Sequence, residues 1–331
     1  MTSRSLSHRR IENRMREPFR ISGYLFESMP SVVVALEENG ATGNAEAAGV
    51  YYLHDDVPHM ASEIERVRDS IEQGADRAQL QALLPSGGAR NALDCALWEL
   101  ESRHTGKPVW QIAEASQPRP LVTTFTVPAD DPAWIRAKLA NFPPLHAIKL
   151  KLDGDLAADT ERVRTVRAVH PDTWLGVDAN QGYDAATIEP LVAMLADAKV
   201  ALLEQPNRRG EEAILDGLDS PIPIAADESI LDGDELETHY ARYDVINVKL
   251  DKCGGLSEAL RMKDMVRRMG RKLMIGNMAG GSLATAPAFV FAQFCDVVDL
   301  DGPWFLPDDP LAAELYHDGH VMMPPGYWGA A

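Results

Sequence analysis

The chain has 331 residues, 45 % hydrophobic and 25 % charged, with a formal net charge of −18. That length can bury a large barrel and a smaller unit. The acidity argues against nucleic acid or an anionic membrane as partner, and no apolar run approaches a membrane span. Cys95, Cys253 and Cys295 stand far apart without Cys-x-x-Cys spacing, which argues against a disulfide scaffold or a cysteine zinc site and fits a reducing cytoplasm.

In chain order, residues 1–20 carry six arginines and no apolar core, so they read as a frayed basic lead-in rather than a signal peptide. Residues 31–36 read as a strand before the turn Glu37-Glu-Asn-Gly40, with 19–26 as its partner or a loop beside it. The small residues of 43–50 lead into a further short strand or loop. Helical spacing runs over 60–71 and 76–84. Ala92, Leu93, Ala96, Leu97 and Leu100 form the stripe of a stronger helix over 89–103. Residues 1–115 therefore read as an α+β unit.

Beyond it the pattern alternates. Strands are expected over 121–127, 147–152, 174–177, 200–203, 222–226, 245–250, 273–275 and 297–300. Helices are expected between them, over 132–140, 155–169, 185–196, 211–218, 232–239, 256–269 and 282–294. Eight strands with seven helices predict a closed parallel barrel over 116–303. The Pro/Gly-rich tail, 304–331, is too short for a domain and is expected to pack back on the N-terminal unit.

Such barrels gather their chemistry at the C-terminal strand ends. In the apolar run 146–152, Lys149 and Lys151 are two apart and share one face. Taken alone, that run is an edge strand with two solvated lysines. Asp178, Glu204 and Asp227 end the next three strands, 26 and 23 residues apart. Singly they are a turn residue, a strand-end charge and a helix cap. On neighbouring strands they converge, and they repel unless a cation lies among them. Oxygen ligands without His or Cys suit a hard ion, and open positions for substrate suit Mg²⁺. Lys151 precedes Asp178 by 27 residues and Lys249 follows Asp227 by 22, so a lysine flanks the carboxylates on each side. That arrangement suits moving a proton at one carbon from opposite faces, the metal stabilising the charge left on a carboxylate. The like charges of Lys149 and Lys151 are expected to lower the pKa of one of them.

These residues, with Arg90-Asn-Ala-Leu-Asp-Cys-Ala-Leu-Trp98, Lys149-Leu-Lys151 and Lys249-Leu-Asp-Lys252-Cys-Gly-Gly255, resemble the enolase superfamily and its muconate lactonizing enzyme subgroup. The resemblance covers nearly the whole chain. It implies an α/β fold, a (β/α)7β modified TIM barrel with an α+β capping domain made of the N-terminal region and the C-terminal tail. It implies Lys151 and Lys249 as acid/base catalysts, with Lys149 tuning Lys151. It implies Asp178, Glu204 and Asp227 as ligands of one Mg²⁺ per subunit, with Asn180 and Glu228 beside the metal. Lys252, three residues past Lys249, is expected to be structural. Asp299-Leu-Asp301 resembles the Asp-x-Asp motif by which dipeptide epimerases bind the free amino terminus of an L-X-D/L-Y dipeptide, although Asp301-Gly302-Pro303 is also a good turn.

Epimerases acting on Ala-Glu carry an arginine in a mobile cap loop, and the matching segment 21–29 has none. Tyr24, Leu25 and Phe26 instead suggest an apolar or aromatic-accepting pocket, with Glu27 available to a cation. A second cap loop, 50–54 with Tyr52, is expected to close over the substrate. The expectation is a Mg²⁺-dependent epimerase of dipeptides with an uncharged or apolar second residue, cytoplasmic and homo-oligomeric. Its partner would be a small molecule. An N-acylamino-acid racemase, an o-succinylbenzoate synthase-like lyase and a muconate-type cycloisomerase stand as alternatives, as does a non-catalytic barrel.

Overall fold

The computed structural model describes residues 4–142 and 144–331. The chain begins with three antiparallel strands, β1 (Ser5–Ile21), β2 (Tyr24–Glu38) and β3 (Ala41–Ala47), in that spatial order. β1 corrects the frayed lead-in expected for 1–20, of which residues 1–3 lie outside the described residues. It pairs with β2 from Ser5 opposite Glu37 to Ile21 opposite Tyr24. Leu6 is buried near its start and Ile11, Met15, Phe19 and Ile21 are partly or fully covered further along, while Arg9, Arg14, Arg16 and Arg20 are exposed. Basic residues along a free edge discourage pairing with another chain, and they masked the period-two signal in the composition.

Helices α1 (Val57–Glu72), α2 (Arg77–Leu83) and α3 (Gly88–Thr105) follow. Asp56 and Asp76 cap the first two through His59 N and Gln79 N. Val32, Val34 and Leu36 of β2 meet Met60, Ile64, Leu93 and Ala96 in the core. A short helix, α4 (Val109–Ile112), leads to the second unit.

There the expected strand over 121–127 divides. β4 (Leu121–Val122) joins the tail, and β5 (Thr124–Val127) opens the barrel. The eight parallel strands are β5, β6 (Ala147–Lys151), β7 (Trp174–Asp178), β8 (Leu202–Glu204), β9 (Ile224–Ala226), β10 (Val245–Val248), β11 (Lys272–Ile275) and β12 (Val297–Val298), neighbours in chain order. Between them come α5 (Pro132–Leu139), α6 (Leu156–Val169), α7 (Ile188–Asp197), α8 (Gly233–His239), α9 (Leu250–Cys253), α10 (Leu256–Arg268) and α11 (Ser282–Ala292). The helix expected over 211–218 is only one 3₁₀ turn, Glu212–Leu215, held between Gly210 and Gly217 at φ 88° and 82°. Side chains close the seam between β5 and the residues after β12. Thr123 Oγ1 accepts from Leu300 N, Thr124 Oγ1 donates to Asp299, and Thr126 N donates to Asp301.

The tail forms α12 (Ala312–Leu315), β13 (Tyr316–His317) and β14 (His320–Val321), and β14 pairs with β4. Its end reaches the first unit, where Trp328 Nε1 donates to Asn44 O and Gly329 N to Glu99.

The two units are locked by the segment after β10. Arg90 of α3 donates to the carbonyls of Cys253 and Gly254, and Asp94 accepts from Ser257 N. Gly254 and Gly255 have φ of 82° and 113°. A Cβ on them would stand 2.2 Å from Arg90 Nε and 2.5 Å from Asp94 Oδ2. The glycine pair of the Lys249–Gly255 motif thus allows the helix to dock. Asp251 adds a clamp, accepting from Ala48 N and Gly49 N at 3.0 Å each.

Burial lifts the Asp251 carboxyl from 3.8 to about 7. A raised native pKa means that the folded chain keeps a proton the unfolded chain has released, so stability declines as pH rises through that window and is flat above it. Asp251→Asn carries no such proton. Wild-type stability relative to this variant should fall between about pH 4 and 7, by up to about 1.4 kcal/mol per pH unit. Urea titrations of both proteins across that range measure it, and a pH-independent difference would reject the assignment.

Candidate active site

Alternate side chains of a barrel strand face inward. β6 therefore turns both Lys149 and Lys151 into the barrel, beside Asp178 at the end of β7 and Glu204 at the end of β8. Asp227 directly follows β9 and Lys249 follows β10. Leu202 and Ala225, two residues before Glu204 and Asp227, form with Val245 and Met274 a separate apolar layer that floors the site. Asp178, Glu204 and Asp227 are at most 1 % exposed, with one oxygen from each lying within 4.8 Å of the others.

Three buried anions this close need compensation. Lys149 Nζ lies 3.0 Å from Asp178 Oδ2 and 2.9 Å from both Glu204 Oε2 and Asp299 Oδ2. Lys151 Nζ is 2.6 Å from Asp178 Oδ2, and Lys249 Nζ is 2.6 Å from Asp227 Oδ2. Lys252 is held differently. Its ammonium donates to Asp227 Oδ1 and to the carbonyls of Asp227, Ile230 and Asn247, which ties the ends of β9 and β10 together.

Burial disfavours charge on Lys149, but Asp299, Glu204 and Asp178 outweigh it and hold the ammonium well above the usual lysine range. The lowering expected from like charge does not hold for Lys149, because it meets more carboxylates than lysines. Burial would also raise Asp178 and Asp227, yet their lysine contacts bring both far below the carboxylate range. Glu204 moves oppositely, to about 7, through burial and the Asp178 charge. Burial and Asp227 lift Glu228 to about 8.

The surroundings suit a cation. Asn180 Nδ2 donates to Glu228 Oε1 and Asn247 Nδ2 to Glu204 Oε1. The remaining side-chain oxygens, Asn180 Oδ1, Glu228 Oε2 and Asn247 Oδ1, are buried without a hydrogen-bond partner. Unpaired oxygens around three carboxylates match a hard divalent ion and its waters. Asn247 lies two residues before Lys249, so strand parity alone would have found it. Gly276, by contrast, carries no signal in the sequence. A Cβ there would stand 2.8 Å from Asn247 Oδ1 and 3.0 Å from Lys249 Cε.

One cavity joins Lys149, Lys151, Lys249, Asn180, Asp299 and Asp301. Its opposite wall is apolar, built from Met15, Phe19, Ile21, Phe26, Met29, Tyr51, Met278 and Phe305. Asp299 is engaged by Lys149 and Thr124, whereas Asp301 is bound by Thr126 N and more distantly by Asn277 Nδ2. Burial and the Asp299 charge lift Asp301 to about 6. Tyr24 is 45 % exposed and lies behind the wall, stacked on Phe26 and edge-on to Tyr51. Tyr52 lies outside that lining, and burial and then Asp227 raise its phenol well above the usual range. Its neighbour Tyr51 faces the cavity. Glu27 is exposed and outside the lining.

Residues 6–113 match the family model described as mandelate racemase / muconate lactonizing enzyme, N-terminal domain, and residues 136–327 match enolase C-terminal domain-like. An L-Ala-D/L-Glu epimerase of Escherichia coli (strain K12) is 35 % identical over 311 residues, covering 93 % of this chain and 96 % of that protein. A hydrophobic dipeptide epimerase of Roseobacter litoralis is 31 % identical over 335 residues, covering 95 % of each. An Agrobacterium tumefaciens enolase family member with homology to dipeptide epimerases, solved with sodium and L-Ala-L-Glu, superposes with a TM-score of 0.92. It is 34 % identical, over 98 % of this chain and 100 % of that one. A Methylococcus capsulatus dipeptide epimerase with Mg and L-Arg-D-Lys gives 0.89 at 26 % identity, over 98 % of each chain. The chain belongs to the mandelate racemase / muconate lactonizing enzyme family of the enolase superfamily.

Proposed function

We propose that this protein is a dipeptide epimerase that inverts the α-carbon of the second residue, with preference for an uncharged or apolar side chain there. One observation carries the reading. Lys151 and Lys249 enter a single cavity from opposite sides of the carboxylate triad, and that cavity also holds Asp299 and Asp301. The relatives named for dipeptide epimerisation support it.

Asp178, Glu204 and Asp227 would hold Mg²⁺, with Asn180, Glu228 and Asn247 around it. Bound there, the ion supplies positive charge to the substrate carboxylate as its α-proton leaves. Lys151 takes the proton from one face and Lys249 returns one to the other. Each lysine is positioned by a carboxylate, and the apolar wall excludes water from the exchange. Lys149 remains an ammonium between β6, β8 and the end of β12, countering the charge beneath the reacting carbon. Asp301 faces the substrate ammonium, with Asp299 reinforcing the local negative charge. Among the described residues, the lining opposite them contains no arginine to pair with a glutamate side chain. Met15, Phe19, Phe26 and Met278 there favour an aliphatic or aromatic side chain instead.

Incubation with Mg²⁺ and a dipeptide library in D₂O should give a one-dalton gain confined to the second residue, from exchange of one H for D. Second residues such as Leu, Phe or Tyr should exchange at least about tenfold faster than Glu, and EDTA should stop both. Faster exchange with Glu would overturn the specificity. No exchange in any dipeptide would overturn the function.

Lys151→Ala and Lys249→Ala should each lose epimerisation by on the order of 10²–10⁴. Each variant should still exchange the α-proton of one epimer, and the two should differ in which one. Equal loss with both epimers in both variants would defeat the two-face assignment.

Asp301→Asn should raise KM for a dipeptide while changing the rate with the N-acetylated analogue by less than about threefold, because only the dipeptide brings an ammonium. An equal effect on both substrates would favour the N-acylamino-acid racemase reading.

A further inference from the structure

We infer that His146, Asp318 and His320 form a second metal site, for a divalent late first-row transition ion, at the end of the barrel away from the cavity. Each offers one ligand atom, and the three atoms lie within 4.8 Å of one another. His146 immediately precedes β6, and Asp318 and His320 belong to the β13–β14 hairpin, so the cluster joins parts of the chain far apart in sequence. Lys151 ends β6 five residues after His146. At strand rise the two sites are therefore roughly 16 Å apart.

The side chains are held rather than merely adjacent. Asp318 and Gly319 turn the hairpin with φ of 46° and 70°, as a two-residue connection of this kind requires. Gly319 also makes room for the imidazole of His146, since a Cβ would stand 2.7 Å from its Cδ2. The rings of His146 and His320 lie 5.2 Å apart, and His146 Nε2 is 3.7 Å from Asp318 Oδ2. His320 Nδ1 lies 2.6 Å from Asp318 O, and a carbonyl can only accept. Nδ1 therefore carries the proton, and Nε2 of the neutral ring is a free lone pair. A backbone carbonyl that fixes the tautomer in this way is a common partner of a ligating histidine.

Two imidazoles and one carboxylate select the ion. They favour Zn²⁺, Cu²⁺, Ni²⁺ or Co²⁺ over Mg²⁺, which prefers the all-oxygen triad in the barrel. The side chains of His146 and Asp318 are 46 % and 59 % exposed, so water completes the coordination and the ion exchanges freely. Its consequence is mechanical. It pins the C-terminal hairpin to the entrance of β6, so the ion stabilises the native chain by mass action. Imidazole ligates only when neutral, so the affinity drops in acid.

The test uses the full chain in millimolar Mg²⁺, titrated calorimetrically with Zn²⁺. One equivalent should bind and raise Tm. His146→Ala and His320→Ala should each weaken it at least about tenfold, with dipeptide turnover in Mg²⁺ unchanged. Cu²⁺ bound to the unsubstituted protein should show nitrogen superhyperfine splitting from two imidazoles in its EPR spectrum. The carboxylate triad cannot produce that signal, so this readout stands whether or not the epimerase reading does, and whether or not the variants fold. Absence of a Zn²⁺ equivalent, persistence of it in both variants, or a Cu²⁺ spectrum without nitrogen coupling would overturn the inference.

Discussion

The site depends on keeping Asp178, Glu204 and Asp227 together in a place where water cannot screen them. Their burial raises the energy of every negative charge, and their proximity raises it again. The chain answers with ammonium groups from both sides, Lys149 and Lys151 from β6, Lys249 and Lys252 from the segment at β10. The opposite movements of Asp178 and Glu204 express the same constraint. Carboxylates touching the lysines most closely ionise easily, and Glu204 beside them resists a further negative charge. A divalent ion among the three carboxylates would relieve that conflict.

The cap is fastened to this assembly by the same short segment that supplies Lys249. Within seven residues, Lys249 enters the cavity, Asp251 clamps the end of β3, Lys252 ties β9 to β10, and Gly254 and Gly255 admit α3. Arg90, Asp94 and Trp98 return the contact from the cap side. The cap's β1–β2 hairpin supplies much of the apolar cavity wall, so its placement bears directly on what side chain fits. The cap that lines this wall is held at that joint and also by the tail, through Trp328 and Gly329.

The barrel was legible because its signals are local and repeated. Lys149, Lys151, Asp178, Glu204, Asp227 and Lys249 recur near one βα spacing, and strand parity puts them inside. What stayed hidden depended on contacts between distant segments. The arginines of β1 looked like a disordered arm until β2 was laid beside it. Thr124 and Thr126 carry no message until Asp299 and Asp301 approach them across the seam. The order of Tyr51 and Tyr52 in one 3₁₀ turn decides which ring meets the cavity, and periodicity cannot assign one turn. The fourth crossover failed as a helix for a local reason, glycines at φ 88° and 82° on either side of it.

Lys149 and Lys151 show why spacing identifies a pair but cannot divide its labour. Both belong to β6, both point inward, and both reach Asp178 Oδ2. Their difference comes from what else is within reach. Lys149 is two residues deeper and meets carboxylates from three further strand ends or loops, counting Asp178, Glu204 and Asp299. An ammonium shared among three anions is a poor base, because losing its proton would leave all of them uncompensated. Lys151 Nζ instead contacts the one carboxylate Asp178, at 2.6 Å from its Oδ2. That difference in surroundings supports the proposed division, in which the shallower lysine moves the proton and the deeper one keeps the charge balance.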